Sequence, residues 1–470
     1  MGLLCLLAFA FFAEAVIVPQ FTVLPLYGSS ECGYYVTINI TRKLATVPVR
    51  LDVSSSDLAL FTCTSASSCN TTYRPTQPTY PSINVTGAYT SGSVSGRVVR
   101  EDVQIGDMAF SGMPLMAIDS SSGTMVNKCA NGMAAAGIMG IGSSSLANPL
   151  ISKLGVIGMM KSMNMPPMFA THICKNDLVD RTSGAGHVWM GGWDSSVLAS
   201  AASLETYDLV TARGYYALNV TAFRLGSVSI PESSCSRGTC LLDSTSSEIV
   251  LPSATYALLI SALSRSSAIA FSNTSLLEHF WNGSALVAAR AASSANINSD
   301  VSLSLSIGST QSWDIFTTNF ISSVPCSSAC LTARNTSVLP STKQSLAWTS
   351  ADPSCNPSSG QPLASDCRLY YRTGLAPTSS DYIILGLPVV YNRVVQFDLS
   401  KNQVHTGFAD SGKCSAPATL SGMVDTANMS GSGVGYIGVI AGLGGSAAAL
   451  VTLSSLYVMF RTRKLQPHVT

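Results

Sequence analysis

The chain has 470 residues, enough for two or three domains and a substantial core. Lys+Arg total 26 against 25 Asp+Glu, a net charge of +1, and only 11% of residues are charged. Phosphate binding needs clustered cations, so no nucleic-acid partner is expected. With 46% apolar residues and almost no net charge, disorder along the whole chain is excluded as well.

In chain order, Leu3 to Ala13 is an apolar run of signal-peptide length, and Ala13-Glu14-Ala15 fits the small-x-small cleavage rule. Residues 1–15 therefore read as a signal peptide, with the mature chain starting at Val16. Short alternating segments follow, such as Tyr34 to Ile40 and Gly96 to Ile105, separated by Gly, Ser, Asn and Pro. That pattern predicts mainly β architecture. Leu51-Asp52-Val53-Ser54-Ser55-Ser56-Asp57-Leu58 places an acid between an apolar lead-in and a hydroxyl run. Ile138-Met139-Gly140 follows, 88 residues after Asp52. The pattern then returns as Leu242-Asp243-Ser244-Thr245-Ser246-Ser247-Glu248-Ile249, with Ile384-Leu385-Gly386 143 residues after Asp243. A duplicated lobe that presents one Asp per copy on a strand-to-loop turn is a direct way to build a paired carboxylate site.

Just after the second Asp pattern, Ala254 to Leu263 is the best amphipathic helix. The longer second interval points to a loop insertion within Ser322 to Ser380, where Ser, Pro and Cys326, Cys330, Cys355 and Cys367 concentrate. Val394 to Phe397 reads as a strand. Residues 413–433, rich in Ser, Gly and Ala, read as a stalk. Val434 to Phe460 is then 27 residues without a charge, followed by Arg461, Arg463 and Lys464. A spanning helix needs about 20 apolar residues. The expectation is a single-pass type I membrane protein with residues 461–470 in the cytoplasm. The rest would lie at the cell surface or in a secretory or vacuolar lumen.

Eight N-x-S/T sequons agree with that side, at Asn39, Asn70, Asn84, Asn219, Asn273, Asn282, Asn335 and Asn428. Removing Cys5 with the signal peptide leaves twelve of 13 cysteines, an even number suited to an oxidising compartment. The pairing of Cys32, Cys129, Cys174, Cys326, Cys330, Cys355, Cys367 and Cys414 stays open. The five His residues are scattered and no C-x-x-C occurs, so no metal site is expected.

The two Asp patterns and their order resemble the pepsin-like aspartic proteases. Ala88-Tyr89-Thr90-Ser91-Gly92-Ser93 resembles the family's flap hairpin with its tyrosine. Ala136 to Gly142 resembles the segment that braces the first Asp turn, and Trp189-Met190-Gly191-Gly192-Trp193-Asp194 the inter-lobe segment. Tyr382 to Gly386, Val394 to Asp398 and Gly407-Phe408-Ala409 resemble the C-terminal strands.

The resemblance implies a bilobal, mainly β fold with a cleft between an N-terminal lobe (16–195) and a C-terminal lobe (196–412). The single C-terminal membrane helix would lie beyond it. It implies an endopeptidase in which Asp52 and Asp243 share one proton and activate a water, with a peptide or protein substrate and no cofactor. Ser54, Ser55, Ser244, Thr245 and Ser246 would support the two turns. Tyr89, Thr90, Ser91 and Gly92 would close over substrate. Cys63/Cys69 and Cys235/Cys240 sit where the family closes small disulfide loops.

This chain departs from the pattern at four points around the turns and at Thr90, which replaces a flap glycine. Ser54 and Thr245 replace the glycine of each turn, Val53 replaces a hydroxyl residue that locks the turns together, and Ala59 replaces a tryptophan behind the flap. These motivate the alternative reading, an inactive homologue used as a binding or adhesion module.

Overall fold

The computed structural model describes residues 21–29, 33–41, 45–62, 73, 83–89, 92–123, 135–152, 154–175, 185–200, 202–210, 214–269, 280–282, 287–288, 297–326 and 368–414. Strands of two to sixteen residues dominate them. The first lobe is an eight-stranded sheet that includes Gly33–Ile40, Ala45–Asp52, Leu58–Phe61, the hairpin Asn84–Tyr89/Gly92–Ile105, Met108–Gly123 and Gly137–Gly140. Alternation explains the pairing: in Gly92–Ile105, Val94, Val99, Val103 and Ile105 are buried while their neighbours face outward.

The duplication seen in the sequence is a duplication of strand order. In the first lobe, Gly137–Gly140 lies between Ala45–Asp52, which it pairs in parallel, and Leu58–Phe61, which it pairs antiparallel. In the second, Ile383–Leu385 lies between Cys240–Leu242 in parallel and Ile249–Pro252 antiparallel. The middle strand must pass close to the Asp turn, which is why a glycine stands at the end of the first, Gly140, and directly after the second, Gly386. A Cβ built on Gly140 would lie 2.6 Å from Ser55 C and Ser56 N, and 2.7 Å from Asp57 N. One on Gly386 would press on Glu248 O and Ser246 O. The contacts are backbone, so they cannot swing aside. Gly140→Ala is expected to cost about 2 kcal/mol through overpacking, read as a lowered urea midpoint.

A seam joins the halves. Thr22–Pro25, Gly186–Met190 and Met168–Ile173 continue into Arg393–Asp398, Gln403–Phe408 and Glu205–Val210 within one eleven-stranded sheet. The pair across the middle is Met168–Ile173 with Arg393–Asp398, where Phe169 stands opposite Phe397 and stacks on it at 4.6 Å. The expected helix runs Ser253–Arg265 and buries Thr255, Tyr256, Leu259, Ile260, Ala262 and Leu263. In the insertion, Ile321–Cys326 pairs with Arg368–Thr373. The residues between them lie outside those described.

One expectation is corrected. Among the described residues no helix is long and apolar enough to cross a membrane. Ser253–Arg265, the longest of them, has 13 residues, about 20 Å at 1.5 Å per residue against a hydrocarbon core of about 30 Å. Residues 1–15 and 434–460, assigned to the signal peptide and the span, lie outside the described residues, as do the stalk from 415 on and the tail. The fold is mainly β and bilobal. The C-terminal transmembrane helix, the membrane as a partner and the type I localisation have no support in the structure and are withdrawn.

Candidate active site

Asp52 ends its strand and Asp243 follows directly on Cys240–Leu242. Both are buried, at 2% and 3% exposure. Strand pairing fixes each position: Asp52 is the register partner of Gly140, and Asp243 N–H donates to Leu385 O at 3.1 Å. The turn after Asp52 is tied back by Ile141 N–H to Asp52 O, the turn after Asp243 by Leu387 N–H to Ser246 O, each at 2.8 Å.

One hydroxyl joins the two turns. Ser244 Oγ donates to Leu51 O at 3.1 Å and accepts from Val53 N–H at 3.3 Å, so the second turn holds both sides of the first Asp. Val53 has no hydroxyl with which to return the contact. A second link crosses nearby: Arg50 Nη2 donates to Thr245 O.

The carboxyls differ in their hydrogen bonds. Asp52 Oδ1 accepts from Ser54 N–H (2.7 Å) and Ser54 Oγ (2.6 Å), and Oδ2 accepts from Ser55 Oγ (2.6 Å). Asp243 Oδ1 accepts from Thr245 N–H (2.8 Å) and Thr245 Oγ1 (2.7 Å). Asp243 Oδ2 is buried without a hydrogen-bond partner among the described residues. Ser246 does not play the part of Ser55. Its hydroxyl donates to Glu248 O at 3.0 Å and accepts from Glu248 N–H at 3.4 Å, closing a local hydroxyl turn instead. Burial, and after it the charge on Asp52, raises Asp243 above the usual carboxylate range; the Thr245 bonds and Arg50 act the other way.

The sequence profile of the eukaryotic aspartyl proteases matches residues 33–410. The chain belongs to that family. A search among curated proteins found no match.

For a eukaryotic aspartyl protease, the two replaced glycines are the unusual feature. The structure gives both replacements the same behaviour. Each keeps the backbone N–H bond to its carboxylate and adds a hydroxyl bond to the same oxygen. Neither Ser54 nor Thr245 adopts positive φ, so neither turn demands glycine for its backbone angle.

The flap candidates are placed unevenly. Tyr89 ends the first hairpin strand and is the register partner of Gly92, while Thr90 and Ser91 lie outside the described residues. Ala59, in the tryptophan position, is fully buried and pairs with Ile138 and Met116. Of the cysteine candidates, Cys235 and Cys240 form a disulfide, and so do Cys174 and Cys414, whose pairing the sequence left open. Cys63 and Cys69 lie outside the described residues. Of the sequons, Asn39, Asn84 and Asn282 are exposed and Asn219 is half-buried. The other four lie outside the description.

The histidines prove less scattered in space than along the chain. His172 Nε2 lies 3.5 Å from Cys174 Sγ and 3.4 Å from Cys414 Sγ. These three side chains are close enough to hold a cation. The disulfide, however, leaves no thiolate there to bind one. Burial first, then His187, hold His172 down to about 4, with Asp410 opposing.

Sequence reading missed three residues at the site. Arg50 stands two positions before Asp52 in a strand of Val, Pro and Leu, and the period of two was signal enough to place it on the Asp face. Asp57 was read only as part of the repeat, yet it is buried, with Oδ2 accepting from Asn148 N–H at 2.7 Å. Asn148 Nδ2 in turn donates to Thr86 O, on the flap hairpin, at 3.3 Å. No motif pointed to Asn148.

Proposed function

We propose that this protein is an aspartic-type endopeptidase whose carboxyl pair is Asp52 and Asp243. The observation that carries the reading is the Ser244 hydroxyl. It reaches across from one Asp turn to Leu51 O and Val53 N–H on the other, holding together two buried acids 191 residues apart in sequence. A fold kept only as a surface module has no need of that arrangement.

The unequal hydrogen bonds divide the labour. Asp52, with three donors, is suited to carry the negative charge and draw a proton from the attacking water. Asp243, buried and bare at Oδ2, keeps the shared proton. It gives that proton toward the substrate carbonyl as charge develops on oxygen. Hydrolysis then needs no metal: water adds to the carbonyl carbon, the C–N bond breaks as the proton taken by Asp52 leaves on the amine, and the proton lent to the carbonyl oxygen returns to Asp243. An extended peptide would lie between the lobes and pair with the flap hairpin as a further strand.

The test is cleavage of an unfolded protein substrate by the purified protein across about pH 3–7, the range in which such a pair holds a single proton. Activity that disappears in Asp52→Asn and Asp243→Asn supports the proposal. A folded protein without activity overturns it in favour of the binding module.

A further inference from the structure

We infer that Arg50 is a positioning residue for the carboxyl pair, linking the two lobes at Thr245 O and setting a fixed positive charge beside Asp52 and Asp243. The inference rests on the endopeptidase reading only where it concerns catalysis.

Three observations lead to it. The first is a gap: Val53 lacks the hydroxyl that would return the contact made by Ser244, so one of two cross-lobe bonds is missing. Arg50 Nη2 donates to Thr245 O, in the second turn, and supplies a link from the first lobe. The second is the room made for the guanidinium. A Cβ on Gly33 would lie 3.1 Å from Arg50 Nε and 3.4 Å from Cζ, and Gly33 has φ +74°, so the neighbouring strand is open where the side chain passes. The third is its incomplete hydrogen bonding. Arg50 Nε is buried without a partner among the described residues. The guanidinium is anchored by its hydrogen bond to Thr245 O, and the acids whose charge acts on it are Asp243 and Asp52. Burial pulls Arg50 below its ordinary range, while Asp243 and then Asp52 push it back up.

Other ionisable groups around it are few among the described residues. On its own strand there is Asp52. On Gly33–Ile40 there is Tyr35, its register partner, and Tyr34, whose hydroxyl goes to Cys174 O. On Gly137–Gly140 there is none. On the second-lobe turn there are Asp243 and Glu248, the latter 3.9 Å from Arg372. Asp52 and Asp243 are thus the acids that feel Arg50 most.

Removing a cation from beside an acid pair makes each proton harder to lose. Arg50→Gln keeps a donor for Thr245 O and removes the charge. The Asp243 carboxyl carbon, followed by NMR with pH and assigned through Asp243→Asn, should titrate about one to two units higher in Arg50→Gln, since Arg50 is one of the groups that lower it. Arg50→Lys should bring it back. Where the variant cleaves peptides, kcat should fall about tenfold with KM little changed, and the pH profile should move upward with the carboxyls. A wild-type titration in folded Arg50→Gln overturns the inference. Absence of proteolysis in the wild type removes the endopeptidase reading, while the NMR shift would still decide the role of Arg50. If Arg50→Gln does not fold, Arg50→Met combined with Val53→Thr, which adds a hydroxyl between the turns, gives the same reading.

Discussion

Asp52→Asn is expected to lower kcat/KM for peptide cleavage by about 10³-fold or more, and Asp243→Asn by a similar factor. Asparagine has nearly the shape of aspartate, so the strand pairing that holds each position survives. What is lost differs between the two. At position 52 the amide cannot accept a proton from water. At position 243 it cannot hold the shared proton and release it. Because the two act on one proton, the losses should not multiply: the double variant is expected to be about as slow as the worse single one. Stability gives a second measure. Asp243 binds its proton more tightly folded than unfolded, so its contribution is present in acid and fades as pH rises through the raised value. Asp243→Asn should therefore gain stability over the wild type on the neutral side, measured by urea unfolding at several pH values.

Asp57→Asn is expected to remove about 3 kcal/mol of pH dependence from folding stability. Burial, opposed by the Asn148 N–H bond, pushes Asp57 up to about 6, against an ordinary 3.8. Between those values the folded protein holds a proton that the unfolded chain has lost, so stability falls as pH rises. The contribution is complete below about 3.8 and gone above about 6. An amide at position 57 can still accept from Asn148 N–H and has nothing to titrate. Wild type and variant should match near pH 4 in urea unfolding, with the variant the more stable at pH 7. Equal curves at both pH values would sink the account. The second lobe shows the contrast: Glu248, the corresponding acid, lies 3.9 Å from Arg372, whereas no cation faces Asp57 among the described residues.

Much of this was legible in the sequence because the Asp patterns are local and occur twice. Leu51 to Leu58 and Leu242 to Ile249 each fold where the alternation and turn residues put them. The glycines at 140 and 386 were read as braces through the family resemblance, and the structure supplies the reason: a Cβ there has no room. What the sequence hid is what depends on contacts between distant residues. Whether Ser54 and Thr245 crowd their carboxylates or bond to them is decided by side-chain rotation, and both bond. Ser246 satisfies itself within its own turn, which no spacing revealed. Cys174 and Cys414, 240 residues apart, meet because the seam brings together the strands that they follow, Met168–Ile173 and Gln403–Phe408. The apolar run at 434–460 was read from hydropathy alone, and no helix among the described residues answers to it.

Ribosomal synthesis meets the seam in an awkward order. Phe169 finds its partner Phe397 only 228 residues later. At about 5–20 residues per second, Met168–Ile173 waits roughly 10–50 s with one edge unpaired. That strand, Met168-Phe169-Ala170-Thr171-His172-Ile173, carries no lysine, proline or acid to keep other strands away. The nascent first lobe therefore needs shielding until almost the whole chain has emerged. A polypeptide that stops short of Arg393 would keep its first sheet and the bare edge, and would aggregate instead of persisting as a single lobe.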